Sequence, residues 1–325
     1  MKKYKVLDLF SGAGGLTLGF VQNNFKIMAS VDNFQSAVDT YNLNFNKSEK
    51  IKDITDPKVK QHIIDNHKNK IDLIIGGFPC QGFSMAGKRS SKDERNKLYL
   101  HTIEMIKNIE PNVFVLENVK GILSFKDEDE ILIIDKIISM LKEIGYYSKF
   151  ILLDSSKFGV PQKRERVIFI GSKYKNKEKV DSVINDLANY SEKIRTVRDA
   201  IEKFEDYPEN NNFSHIFTKH GEEIIKKLSN LKEGESLYKE YSDAWKRIYY
   251  DKPSPTVKEN HGGVHVHPVQ NRVLTPRELA SLQSFPDNFY FLGTKSNILK
   301  QIGNAVPVKM ANKIAELVKK GLLNE

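Results

Sequence analysis

The sequence predicts an α/β chain, with a doubly wound, mostly parallel sheet and a second, smaller, irregular domain. Three observations carry this. From residue 1 to about 171, short apolar runs alternate with amphipathic stretches, the order expected of a sheet wound with helices. A glycine-rich turn follows the first apolar run. Residues 172–271 then turn rich in Asn, Lys, Glu and Tyr and lose clear periodicity.

Strands are predicted at Lys5 to Phe10, Lys26 to Val31, Asp72 to Ile75, Val113 to Glu117, Phe150 to Leu153 and Val167 to Ile170. Helices are predicted at Leu98 to Ile109 and at Glu130 to Ile144. In the second, Ile131, Ile134, Ile138 and Leu141 recur at helical spacing and Gly145 supplies a stop. A last helix from Val306 to Val318 would put Val306, Met310, Ile314 and Leu317 on one face, with Pro307 in its first turn. The expected division is 1–171, then 172–271, then 272–325 returning to the first domain.

With 325 residues, 39% of them hydrophobic, the chain can bury a sizeable core. Lys and Arg number 51 against 42 Asp and Glu, giving +9, a balance that suits a polyanionic partner. The insert is neutral, with 17 of each sign, so the excess lies on either side of it. A single cysteine, Cys80, excludes intrachain disulfides and multi-cysteine metal sites, and a reduced cytoplasmic setting is expected. No run approaches the ~18 apolar residues of a membrane span, and Asp8 interrupts any signal-peptide core.

The first chemical signal is Asp8-Leu9-Phe10-Ser11-Gly12-Ala13-Gly14-Gly15-Leu16, a strand running into glycines and then a helix. Such a turn lets a ligand approach the backbone and offers amide donors at a helix start. Asp32, closing the next strand 20 residues after Gly12, is placed to accept from ribose hydroxyls. A glycine turn needed only for packing is the competing reading. Asp53 is placed either to reach an adenine amine or to cap a helix.

The second signal is Gly76-Gly77-Phe78-Pro79-Cys80-Gln81-Gly82-Phe83-Ser84, directly after an apolar run. The lone thiol therefore lies on a loop at the C-terminal edge of a strand, where open α/β sheets carry their sites. Behind it come Lys88, Arg89, Lys92, Arg95 and Lys97, a basic stretch that reads as a solvated charge run or as a phosphate-contacting loop. Glu117 ends a strand that should be buried, an expensive place for a carboxylate without a partner or a task. Finally, Pro161-Gln162-Lys163-Arg164-Glu165-Arg166 puts three cations ahead of another strand.

Together with Arg272 to Glu278 and Gln301 to Pro307, these blocks make the chain resemble the DNA (cytosine-5-)methyltransferases of bacterial restriction–modification systems. The resemblance implies a Rossmann-like domain that binds S-adenosylmethionine and a target-recognition domain at 172–271. It implies that Cys80 adds to carbon 6 of a flipped-out cytosine, because carbon 5 is a poor nucleophile until that adduct makes it enamine-like. Glu117 would hold N3 and the exocyclic amine, Arg164 the base carbonyl, and Arg166 and Gln162 would support the pocket or the DNA backbone. Phe10, Gly12, Gly14, Gly15, Asp32, Asp53, Pro79, Leu98, Asn304 and Val306 would line the cofactor, and Ser84, Lys88, Arg89 and Gln162 would touch DNA.

Double-stranded DNA is the implied partner of a monomeric enzyme, with a cognate restriction endonuclease acting separately. The run His261-Gly262-Gly263-Val264-His265-Val266-His267 lacks a completing ligand set, and no metal is expected. Trp245 reads as a core anchor of the small domain. A transfer-RNA methyltransferase branch shares the scaffold but typically carries a Cys-Phe-Thr tripeptide, for which this chain has no second cysteine. A nicotinamide oxidoreductase would leave Cys80, Glu117 and the arginine block without a task. A catalytically silent DNA-binding module would have no need of them.

Overall fold

The computed structural model describes residues 3–79, 97–238, 245–259 and 265–323. Six strands form the main sheet: β1 (Lys5–Leu9), β2 (Lys26–Val31), β3 (Leu73–Gly76), β4 (Val113–Val119), β5 (Tyr146–Asp154) and β6 (Glu165–Lys173). Their order is β2-β1-β3-β4-β6-β5. The first four are parallel, and β6 runs antiparallel to both β4 and β5. All six lie where apolar runs predicted them, although β5 and β6 extend several residues beyond those runs.

The helices are α1 (Gly15–Gln22), α2 (Gln35–Phe45), α3 (Pro57–His67), α4 (Leu98–Ile109), α5 (Ile133–Glu143), α6 (Lys177–Asn189), α7 (Val197–Ile201), α8 (Glu222–Ser229), α9 (Pro276–Leu282), α10 (Lys295–Asn304) and α11 (Val308–Val318). Alternation along the strands sorts their side chains to two faces. Val6, Leu73, Ile75, Val113 and Val115 point toward α1, α6 and α11. Leu7, Leu9, Ile74, Phe114 and Leu116 point toward α3, α4 and α5. On the first side Gly19 lies so close to α11 that a Cβ there would stand 2.4 Å from the Asn312 amide nitrogen. The last helix starts at Val308, two residues later than its apolar pattern, because Pro307 keeps the residue before it out of the helical region and itself stands as the extended N-cap (ψ 129°), and the Val308 amide bonds the Gln283 carbonyl.

A third cluster joins Val197, Ile201, Phe204, Ile248 and Tyr250 to Leu274, Leu279, Phe285 and Ile302. It thus mixes residues from both sides of position 271, while α6, beyond position 171, packs with the sheet. Trp245 is not its anchor. That residue is half-buried in a left-handed turn (φ 52°), against the rings of His220 and Tyr238. His265 opens the two-residue strand β8 (His265–Val266), which pairs with β7 (Lys246–Arg247), and His265 and His267 are both buried.

Candidate active site

The chain leaves β1 for β2 in one direction and reaches β3 on the other side, so the winding reverses between β1 and β3. Crevices form at such a reversal, outside the C-terminal ends of the strands. Both glycine-rich turns of the sequence emerge there.

After β1 the backbone turns sharply, with φ of 56° at Phe10, 54° at Gly12 and 95° at Gly14. The Gly12 amide donates to Asp32 Oδ2 at 2.8 Å, and the Phe34 amide donates to Asp32 Oδ1 at 2.9 Å. Burial raises the Asp32 carboxyl above its usual range, against the pull of those donors and of Lys300. The Lys52 amide donates to the Asp32 carbonyl at 2.8 Å and brings Asp53 alongside. Asp53 belongs to a loop, where its Oδ1 accepts both the amide and the hydroxyl of Thr55 at 2.8 Å, bonds that hold its carboxyl below the usual range.

Opposite, Val306 is buried, and a Cβ on Gly15 would lie 2.5 Å from its carbonyl oxygen. The segment after α10 therefore closes on the turn after β1. Neighbouring Asn304 is exposed, its amide bonded to Glu259 Oε2 at 2.9 Å. Leu98, at the start of α4, is half-buried against the second core cluster. A Cβ on Gly12 would meet nothing within 4 Å, so open space lies in front of the turn and beside the Asp32 carboxylate. A nucleoside with vicinal hydroxyls fits that combination of glycine turn and carboxylate, and these residues are the ones able to hold a methyl donor of the S-adenosylmethionine type.

Beneath Asp32 lies a carboxyl for which the sequence suggests no role. Asp8 is 1% exposed, accepts the Thr17 hydroxyl in a short hydrogen bond, and lies 3.4 Å from the Tyr41 hydroxyl. Desolvation pushes it up to about 7.

The turn after β3 passes β4. A Cβ on Gly77 would stand 3.0 Å from Glu117 Oε2, and Asn118 Nδ2 donates to the Phe78 carbonyl at 3.1 Å. Pro79, half-buried, ends the described residues here. Cys80, Ser84, Lys88 and Arg89 lie outside them. The sequence alone gives Asn118 no role of its own, and its place directly after Glu117 is the available signal.

Glu117 is 8% exposed and pairs with Arg166, whose Nε lies 2.8 Å from Glu117 Oε1. Arg164 is elsewhere. It is 2% exposed, with Nη1 on the Val257 carbonyl and Nη2 on the Gly303 carbonyl, each at 2.8 Å. The expected contact of Arg164 with a base carbonyl does not fit, since the guanidinium is almost fully buried and is held by two backbone carbonyls. Gln162, expected at the DNA, is fully buried and bonds Gln283 Oε1 at 2.8 Å. Spacing does not separate the three, since residues 162, 164 and 166 would share one face of an extended strand. The difference is in what they meet: Gln162 and Arg164 precede β6 and reach Gln283, Val257 and Gly303 in the later part of the chain, while Arg166 stands in the sheet, opposite Val119.

Compared with known proteins, residues 4–320 match the family of C-5 cytosine-specific DNA methylases. Type II methyltransferase M1.HphI of Haemophilus parahaemolyticus is 38% identical over 98% of this chain and 87% of its own. Type II methyltransferase M.DdeI of Desulfomicrobium norvegicum is 31% identical over 96% of this chain and 88% of its own. Among solved structures, a prophage-encoded E. coli chain described as a DNA modification methyltransferase superposes with a TM-score of 0.79. It is 28% identical and covers 99% of this chain and 100% of its own. The Entamoeba histolytica methyltransferase EhMeth, 18% identical, shares the fold with a TM-score of 0.71 over 100% of both chains.

Proposed function

This chain belongs to the C-5 cytosine-specific DNA methylases, and from that premise we propose that it methylates carbon 5 of a flipped-out cytosine in a specific duplex sequence through a Cys80–carbon 6 adduct. The observation that carries the reading is the largely buried Glu117–Arg166 pair, set against the turn that leads into Cys80. A carboxyl group and a guanidinium side by side match the N3/exocyclic amine edge and the carbonyl of cytosine. Arg166 takes the base-carbonyl contact expected of Arg164.

The Cys80 thiolate supplies the electron pair of a new S–C6 bond, and the C5–C6 π electrons shift so that carbon 5 becomes nucleophilic. Glu117 holds N3 and the amine as charge moves onto the ring. S-adenosylmethionine supplies the methyl group when bound. Once carbon 5 carries the methyl, its proton leaves to a base, the C6–S bond breaks as the double bond re-forms, and the thiolate is restored. Both carbons are shielded in a stacked duplex, which is why the base must leave the helix.

Phe10, Gly12, Gly14, Gly15, Asp32, Asp53, Pro79, Leu98, Asn304 and Val306 form the cofactor wall. Residues 172–271 read the DNA sequence, and Ser84, Lys88 and Arg89 contact the backbone. The enzyme would act in the cytoplasm, with a cognate restriction endonuclease working separately.

The test is a duplex carrying 5-fluorocytosine at the target, located first by bisulfite sequencing of DNA from expressing cells. Fluorine cannot leave as a cation, so elimination stalls and a denaturing gel should show a shifted, cofactor-dependent band. Absence of that band with the wild-type protein, or its persistence with Cys80→Ser, contradicts the covalent route.

A further inference from the structure

Two side chains ahead of β6 hold both backbone groups of one residue. Gln162 Oε1 accepts the Val257 amide at 2.8 Å, and Arg164 Nη1 donates to the Val257 carbonyl at 2.8 Å. Each side chain then reaches onward. Arg164 Nη2 donates to the Gly303 carbonyl at 2.8 Å, and Gln162 Nε2 donates to Gln283 Oε1 at 2.8 Å. Gln283 Nε2 in turn donates to the Ile302 carbonyl at 2.8 Å and to the Ala305 carbonyl at 3.3 Å. Gln162, Arg164 and Gln283 are all at most 2% exposed, so water does not compete for these bonds.

The link ends at the two halves of the reaction. Two residues beyond Arg164 stands Arg166 with Glu117, and directly beyond Gly303 come Asn304 and Val306. Residues 303–306 belong to no strand, so sheet bonds do not fix them. Among the described residues, they are tied to the segment before β6 through Arg164, and through Gln162 by way of Gln283.

We propose that Gln162, Arg164 and Gln283 are positioning residues that hold the cofactor segment at a fixed distance from the base pocket. They thereby set the line along which the methyl carbon meets carbon 5. The inference rests on the function proposed above. Reacting atoms must be aligned at about 3–3.5 Å, and a misplacement of about 1 Å costs on the order of 100-fold in rate. A buried link of directed bonds can hold such a tolerance, and its loss would show in the chemical step before it shows in binding.

The experiment compares Arg164→Met, Arg164→Lys and Gln283→Met with a control, Arg277→Lys. Arg277 is fully buried and donates to the carbonyls of Phe213 and Phe289, at 2.9 and 2.7 Å, outside the link. The readouts are the single-turnover methyl-transfer rate at saturating DNA and S-adenosylmethionine, both dissociation constants, and the thermal melting curve. Arg164→Met and Gln283→Met should lower the rate about 30-fold or more with both dissociation constants within about threefold, a misalignment effect. Arg164→Lys, which keeps the charge and can reach one carbonyl, should fall between wild type and Arg164→Met. Arg277→Lys should lower melting and keep the rate within about threefold of wild type. Rates near wild type in the folded link variants, or rates that merely track melting temperature across all four, overturn the proposal. If Arg164→Met does not fold, Arg164→Lys and Gln283→Met decide the matter by the same criteria. A wild-type protein that methylates no duplex overturns the functional reading itself, an outcome separate from any difference among variants.

Discussion

Arg166 meets Glu117 diagonally across the antiparallel β4–β6 pair: it stands in register with Val119, and its Nε lies 2.8 Å from Glu117 Oε1. Opposed residues of a sheet share a face, so positions 117, 119, 166 and 168 project to the same side. The pair is therefore built into the sheet, and its geometry does not depend on a loop.

Arg166→Ala should leave Glu117 without its partner and cost up to about 3 kcal/mol of stability, the lower end of what breaking a fully buried pair costs, because both side chains keep a little exposure. Methyl transfer should fall by roughly 100-fold or more, the scale of losing a preorganised donor to an oxygen that gathers charge. Urea unfolding and single-turnover rates check the two effects separately. Wild-type turnover in this variant would return the base-carbonyl contact to another residue.

Asp32→Ala should weaken S-adenosylmethionine binding by roughly 1–3 kcal/mol, the usual loss for a charged acceptor. It also frees the Gly12 amide, so the turn after β1 should loosen. Because burial raises the Asp32 carboxyl, cofactor affinity should decline as pH falls toward that raised value, earlier than for an ordinary aspartate. Calorimetric titration across pH 4–8 tests this, and an affinity flat over that range would remove Asp32 from the ribose contact.

Asp8 should leave a signature in stability. Its carboxyl is pushed from 3.8 up to about 7 by burial, so the folded protein binds its proton more tightly than the unfolded chain does. On its account stability is greatest below about pH 4 and declines as pH rises toward 7. Asp8→Asn should flatten that portion of the melting-temperature profile relative to wild type. Parallel profiles for the two proteins would mean that Asp8 does not titrate in this window.

Replacing Lys88 and Arg89 with Gln should weaken binding to every DNA sequence alike. Removing one cation from a phosphate lowers the slope of log affinity against log salt by about 1. Fluorescence anisotropy over a salt series measures this. A change in the methylated sequence at constant affinity would instead place base readout in that stretch.

The frame of the molecule is legible in the sequence because strands buried on both faces must be apolar along their length. Leu73 to Ile75 and Val113 to Leu116 could hardly be anything else. Glu117 stands out for the complementary reason, a charge at the end of such a run. The division of labour among Gln162, Arg164 and Arg166 is not legible, since spacing fixes which residues share a face and not what that face meets. Here the inward partners are Val257, Gln283 and Gly303, all about 90 or more residues away along the chain. Nor does the sequence show that Trp245 stands aside from the third cluster, because that unit has little repeating structure to set a register.

The packing of α11 on α1 bears on how the protein comes to be folded. Leu16 and Phe20 are covered by Met310, Ile314 and Val318, from a helix almost 300 residues later, and the Tyr4 hydroxyl donates to the Leu323 carbonyl. During synthesis at roughly 5–20 residues per second, one side of the sheet must therefore wait on the order of tens of seconds for its cover. Contacts this distant in sequence also slow closure once the chain is whole. A product stalled before α11 would thus leave Leu16 and Phe20 of α1 without the Met310, Ile314 and Val318 side chains that cover them.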